Sequence, residues 1–162
     1  KTHLDQMRDL YESFDDCIHF YNYRRISSFS KKDNRYFVFT SFLADFVTNT
    51  IFGSGKSVTY TCIQLGSLMG YKKLILIGKD HSYSHKGKPG SSNEVDVSGS
   101  LNHFTKDYYK SGHVFDSPDF IGEEFAYRLA KKHLEENGVD IVDCTENGKL
   151  NIFRKSKLRD EL

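Results

Sequence analysis

The sequence predicts an α/β protein with an open, mostly parallel sheet flanked by helices, and three observations predict it. Leu74-Ile75-Leu76-Ile77 is a continuous apolar run too short for a helix, the pattern of a buried parallel strand. A helical pattern precedes this run, another comes later, and a second apolar strand pattern returns at Val139-Asp140-Ile141-Val142, giving strand–helix–strand order. From Gly53 to His85 the chain reads as glycine-rich loop, helix, glycine stop, strand, then an acidic and histidine-rich loop. That order places a crevice at the carboxyl end of a strand, where open α/β sheets hold their ligands.

Leu4, Met7, Leu10 and Phe14 recur at helical spacing and predict an amphipathic helix over 1–14. Ile18 to Tyr23 reads as a short strand, and residues 24–34 as a polar, basic loop that is a solvated face rather than a nucleic-acid patch. Phe42, Leu43, Phe46, Val47 and Ile51 predict a helix over 40–51, ended by Gly53. Ser57 caps the next helix, with Val58, Cys62, Leu65 and Met69 on its inner face and Gly70 as its stop. The strand at 74–77 is expected in the centre of the sheet, covered on both faces. Residues 79–117 show no periodicity, and a loop of that length is functional or disordered. Ser117-Pro118-Asp119 opens a helix with a cap, a proline in the first turn and an acid at the positive end. Phe125, Ala126, Leu129 and Leu134 form its buried face and Asn137-Gly138 its stop. The strand at 139–142 comes next, and after an Asn147-Gly148 turn a last short strand covers 150–153.

At 162 residues the chain is read as one domain over 1–162, long enough to bury a core. Hydrophobic residues make up 38% and charged residues 28%, as in soluble globular proteins. A net charge of +1 argues against a protein built to neutralise a phosphate backbone, so no nucleic-acid partner is expected. The three cysteines, Cys17, Cys62 and Cys144, form no CxxC pair and signal neither a zinc site nor a disulfide framework. Cys62 and Cys144 stand in apolar runs and are expected as buried thiols in a reducing cytoplasm. No apolar run reaches the length of a membrane span and no signal-peptide pattern is present, so the terminal Arg159-Asp160-Glu161-Leu162 is taken as a chance likeness to an ER-retrieval tail.

Gly53-Ser54-Gly55-Lys56-Ser57 approaches a P-loop, but that motif needs a glycine where Thr50 stands, and a helix rather than a strand is expected to lead into it. The physics survives: free amides at a helix start, with Lys56 beside them, suit a phosphate or carboxylate. A flexible turn between two helices accounts for the same residues equally well. Gly78-Lys79-Asp80-His81 directly follows the apolar strand, and Asp80 there can accept hydrogen bonds from sugar hydroxyls, a role preferred over simple pairing with Lys79. His81, His85, His103 and His113 fall within 79–117 without HExxH spacing or a cysteine, so a metal is not indicated. Imidazoles titrate near neutrality and suit general-base work. Tyr83, Tyr108 and Tyr109 fit stacking on a base or pinning the loop.

The runs SVTYTCIQLGSLMGYKKLILIGKDH, LNHFTKDYY and FAYRLAKKHLEENGVDIVDCTENGKLNIF resemble the 6-hydroxymethylpterin diphosphokinase-like family, a former domain of unknown function found in bacterial surface-polysaccharide clusters. That family is distantly similar to bacterial sialyltransferases with a single Rossmann-like domain. The resemblance covers about residues 34–155 and implies a Rossmann-like sheet. It implies that Gly78 and Asp80 match a glycine-x-aspartate bordering the nucleotide, that Gly112-His113 holds the catalytic histidine, and that His103 is its substitute. Two departures stand out. Ser82 occupies the place of a tyrosine that assists the departing phosphate, with Tyr83 one residue away. A glycine-asparagine-glycine strand loop that cradles the nucleotide in both relatives has no match in 1–52, so the chain is expected to be the C-terminal portion of a larger domain or a truncated relative.

The resemblance implies a metal-independent glycosyltransferase-like enzyme of surface-glycan assembly, using a CMP-type nucleotide donor of an acidic sugar and a glycan or lipid-linked acceptor. His113 would be the general base. Gly53, Ser54, Gly55, Lys56, Ser57, Gly78, Asp80, His81 and Tyr83 would hold the donor, with no cofactor and no metal. The setting would be the cytoplasm, at the inner face of the membrane, and a homo-oligomer stays open. One alternative is an ATP-dependent diphosphokinase acting on a pterin-like alcohol, which would draw on Asp80, Asp96 and Asp107 for Mg²⁺. The other is a non-catalytic fragment that binds a nucleotide sugar or a partner protein.

Overall fold

The structure, a computed structural model, describes residues 3–41, 51–82, 92–94 and 114–162. It is a mixed α/β arrangement with two small parallel sheets, each of three strands. Helix α1 (His3–Ser13) leads to β1 (His19–Asn22), a 3-10 turn (Tyr23–Ser28) and β2 (Arg35–Ser41). Strand β3 (Ile51–Gly53) completes the first sheet in the order β1-β2-β3, with Phe20 opposite Tyr36 and Thr40 opposite Phe52. Helix α2 (Val58–Leu68) and β4 (Lys73–Leu76) come next, then β5 (Ser92–Glu94) and β6 (Val114–Asp116), an antiparallel pair. Helix α3 (Phe120–Glu136), β7 (Asp140–Asp143) and β8 (Arg154–Lys155) close the chain, and the second sheet has the order β4-β7-β8.

Several expectations give way here. The helix over 40–51 is not formed at either end: Thr40 and Ser41 belong to β2 and Ile51 to β3, while 42–50 lie outside the described residues. Arg35-Tyr36-Phe37-Val38-Phe39-Thr40 is an aromatic and β-branched run, and such residues fit a pleated surface better than a helix. A strand therefore leads straight into the Gly53–Ser57 loop, contrary to the expectation of a helix. β4 stands at an edge of its sheet rather than at its centre, and Leu74, Ile75 and Leu76 are only half-buried. The last strand falls at 154–155 instead of 150–153; Leu150, Ile152 and Phe153 are buried without strand pairing. The aperiodic stretch 79–117 holds the β5–β6 pair, and the 24–34 loop begins inside a 3-10 turn.

The core lies between α2, α3 and the second sheet. Tyr60 and Ile63 of α2 meet Ala126, Tyr127, Ala130 and Leu134 of α3, with Val139, Ile141, Leu150, Ile152 and Phe153 beneath them. Both buried faces differ from the expected ones. On α2, Tyr60, Ile63 and Gln64 turn inward, whereas Val58, Cys62 and Met69 are exposed. On α3, Phe125 is exposed, and Glu123 and Tyr127 share the buried stripe with the alanines. Asp119 rather than Ser117 caps α3, its side chain accepting from the Gly122 N–H. Cys62 and Cys144 are not buried thiols: Cys62 is exposed and Cys144 partly so.

The first sheet is tied down by charge and aromatic stacking along its length. The Arg35 side chain is buried, donates to Glu12 and Ser30, and so fixes α1 against β2. Tyr21 stacks on Phe29 at a centroid distance of 4.0 Å, and Tyr23 on Phe39 at 3.9 Å. At the C-terminal end, Arg154 bridges Asp140 and Glu161 while Lys73 reaches Glu161, which lashes the final turn to β4 and β7.

Candidate functional site

The loop between β3 and α2 is held from behind by one buried amide. Gly53 presents its N–H and C=O away from β2, and Gln64 answers both: Oε1 accepts from the Gly53 N–H at 2.9 Å and Nε2 donates to the Gly53 carbonyl at 2.8 Å. A glutamine on the helix thus stands where the next strand of a sheet would pair. Gly55 and Lys56 then both take positive φ, 49° and 61°. Glycine is required at 55, since a Cβ there would run into the Tyr60 ring. A lysine in the left-handed region costs about 1–2 kcal/mol, and strain of that kind persists where surrounding structure imposes it. Ser57 caps α2 by accepting from the Thr59 N–H. The stem of Lys56 lies against Gly122 in the first turn of α3, where a side chain would crowd it.

This loop borders a cleft of about 610 Å³ between one face of the first sheet and α2. Phe20, Asn22, Val38 and Thr40 form the sheet wall, and Asn22 donates to Thr40 across it at 2.6 Å. Ser54, Lys56 and Ser57 form the loop wall, continued down α2 by Thr61, Cys62 and Leu65. The size is within the range of small-molecule sites, and the mixture of apolar walls with a few polar groups is typical of them.

The turn after β4 is built separately and joined to this loop through α3. Gly78 and His81 take positive φ, 70° and 51°. The Lys79 N–H donates to Thr145 Oγ1 and the Asp80 carbonyl accepts from the Lys149 N–H, so the 145–149 loop supports the turn. Lys79 Nζ donates to Glu123 Oε2 at 2.8 Å and lies 5.7 Å from the Tyr127 ring centroid. Tyr127 in turn donates to Ser57 Oγ at 3.0 Å. A continuous polar path therefore runs from the β4 turn through α3 to the cap of α2. Burial is the largest single influence on the Lys79 ammonium and disfavours it, but the bond to Glu123 together with the electrostatic pull of Glu123 and Tyr127 exceeds it, so the net shift of its pKa is upward. Burial of the Tyr127 phenol likewise raises its pKa, partly opposed by the bond to Ser57 and the charge of Lys79. Tyr127 is held neutral and Lys79 charged.

Of the expected donor-site residues, Ser54, Lys56 and Ser57 line the cleft, while Gly53 and Gly55 shape the backbone behind it. Gly78, Asp80 and His81 do not line it; they sit on the β4 turn, which is linked to the loop through Lys79, Glu123 and Tyr127. Asp80 is exposed. The His81 side chain turns inward and is only 4% exposed, against Phe120 at 4.6 Å, with Nε2 3.2 Å from Glu124 and Nδ1 3.6 Å from Glu123. It frames the turn from inside and offers no imidazole to the surface. His103, His113 and Tyr83 lie outside the described residues, as do Asp96 and Asp107. Among the described residues no three His, Cys, Asp or Glu side chains converge as a metal centre, and no helix is long and apolar enough to cross a membrane.

Gln64, Glu123 and Tyr127 carry the architecture of the site and were not foreseen. Their signal was a polar residue on an apolar helical stripe: Glu123, Ala126, Tyr127, Ala130 and Leu134 share one face, as do Tyr60, Ile63 and Gln64. Compared with protein-family models, with curated proteins and with solved structures, the chain gives no match.

Proposed function

We propose that the chain binds a nucleotide-activated acidic sugar at the α2 cleft and acts as a metal-independent glycosyltransferase-like enzyme of surface-glycan assembly, within a Rossmann-like sheet. One observation carries the reading: a strained Gly55–Lys56 turn, fed by a parallel strand and followed by the capped N-terminus of α2, borders a cleft of about 610 Å³. Helix N-termini offer unpaired N–H groups and a positive dipole end, the physical requirement for a phosphate or carboxylate. Lys56 adds a full charge. Ser57 Oγ already accepts from the Thr59 N–H and the Tyr127 hydroxyl, which leaves its own proton free for an anionic oxygen. The Asn22 and Thr40 wall suits ribose or sugar hydroxyls. In this reading Asp80 orients the donor from the neighbouring turn, and His113 takes the proton from the acceptor hydroxyl as the sugar–phosphate bond breaks, with His103 as its substitute.

The test is calorimetric titration with CMP, CMP-sialic acid and ATP plus Mg²⁺, followed by a transfer assay. Binding of the cytidine compounds should fall at least tenfold in Lys56→Ala. His113→Ala should keep donor binding and lose turnover. A response to ATP with Mg²⁺ alone would replace this reading by the diphosphokinase one, and tight binding without turnover in the unaltered chain would reduce it to a binding role.

A further inference from the structure

A second cleft, of about 610 Å³, opens at the carboxyl ends of β4, β7 and β8. Its residues are distinct from those of the α2 cleft, so a ligand held here is independent of the sugar-transfer reading. Ile77, one residue beyond β4, is 64% exposed here, and Leu158 faces the same space at 39%. A large aliphatic side chain left bare at the tip of a parallel strand is an unfilled apolar contact, located where such sheets hold ligands. Two cations, Lys157 and Arg159, stand on the rim. Lys157 makes no ion pair among the described residues, and Arg159 has only a loose, solvent-exposed partner in Asp160 at 3.5 Å. Exposed pairs of that kind contribute little and yield easily to a better partner. Glu146 is the one acid of the lining, against these two cations. Cys144 and Thr145 complete the β7 side, and Thr145 is the same residue that fixes Lys79 at the β4 turn.

The geometry points to a second ligand site here, for a small anion carrying an apolar body: a phosphate or carboxylate head on Lys157 and Arg159, and an apolar group on Ile77 and Leu158. Neither half alone explains the surface. A bare inorganic anion would leave Ile77 in water, and a purely apolar ligand would approach two cations without answering their charge. Because Thr145 belongs both to this cleft and to the support of the β4 turn, an occupant would press on the residue that orients Lys79.

The probe is 1-naphthyl phosphate, read by its fluorescence and by the alkylation rate of Cys144, followed by peptide mass spectrometry. Saturable binding that slows Cys144 alkylation at least fivefold is expected, and inorganic phosphate at the same concentration should leave the rate unchanged. The Lys157→Ala/Arg159→Ala pair and, separately, Ile77→Ser should each weaken the probe at least tenfold; all three positions are exposed, so folding is not at stake. Protection of Cys144 that persists in the double variant, equal protection by inorganic phosphate, or no protection at all would overturn the site.

Discussion

Replacing Gln64 by Leu isolates the contact that sets the candidate site in place. The wild-type amide is fully buried and satisfies both backbone groups of Gly53, at 2.9 and 2.8 Å; its third bond, from Nε2 to the Tyr60 carbonyl, lies within α2. Leucine fills nearly the same volume, so little cavity is created. What it removes is the partner of one buried N–H and one buried C=O. Each such orphan costs about 1–3 kcal/mol, and burying a leucine instead of a primary amide returns part of that sum. The net loss is about 2–4 kcal/mol, or a Tm lower by about 4–16 °C for a chain of this size. Urea unfolding followed by circular dichroism measures it, with an unchanged slope showing that the two states themselves are the same. Because Gly53 is the anchor of the Gly55–Lys56 turn, CMP affinity should fall with stability. A loss below about 0.5 kcal/mol would refute the reasoning, since the Gly53 groups would then have found water or another partner at no cost.

Three further outcomes are expected. Lys56→Gly releases about 1–2 kcal/mol of left-handed strain against about 0.4–1 kcal/mol of added chain entropy, so thermal unfolding should show a small gain in stability while CMP binding is lost at least tenfold. Tyr127→Phe keeps the ring and removes one hydrogen bond to Ser57, costing about 0.5–1.5 kcal/mol in urea unfolding; donor affinity should fall more than in a Phe125→Leu control on the exposed side of the same helix. Glu12 is held down to about 2 by its bonds to Ser30 and Arg35, so its contribution is present above its ordinary value of 4.5 and is lost as pH falls toward 2; Glu12→Gln should flatten that part of the acid unfolding curve.

The parts of the fold that were legible in the sequence are those where local chemistry decides. Ser57 caps α2 as its type and position require, Gly70 follows the end of that helix with φ 86°, and Asn137-Gly138 stops α3. The β4 and β7 strands were visible as short apolar runs. The illegible parts were settled by tertiary contact. The inner faces of α2 and α3 went to stripes containing Gln64, Glu123 and Tyr127, because each of these side chains finds a partner on another part of the chain. β3 is only three residues long, too short for alternation to show, and its pairing with β2 is what makes it a strand. The Gly53–Ser57 loop stood out by its glycines and its lysine, but its strand-to-helix setting came only with the fold.

The polar path from Lys79 to Ser57 explains why charged and phenolic groups occupy a helix face that alanines and leucines would pack more simply. An ammonium buried beside a carboxylate rarely adds much stability over apolar residues of the same volume, so the Lys79–Glu123 pair is poor evidence for a purely structural role. What it does provide is direction. Glu123 pins Lys79 near the face of Tyr127, the phenol is kept neutral, and its hydroxyl meets the one side chain that both caps α2 and lines the cleft. A movement of the β4 turn can reach the loop along this path, beside the packing of the Lys56 stem on Gly122. Breaking it at Glu123→Gln, which keeps the shape and removes the charge, should therefore leave α3 folded while loosening Ser57. The thermodynamic mark would be a double-mutant cycle with Tyr127→Phe in which the two losses of CMP affinity fail to add. Additive losses would mean that the β4 turn and the α2 loop act independently, and the single site inferred from their connection would separate into two.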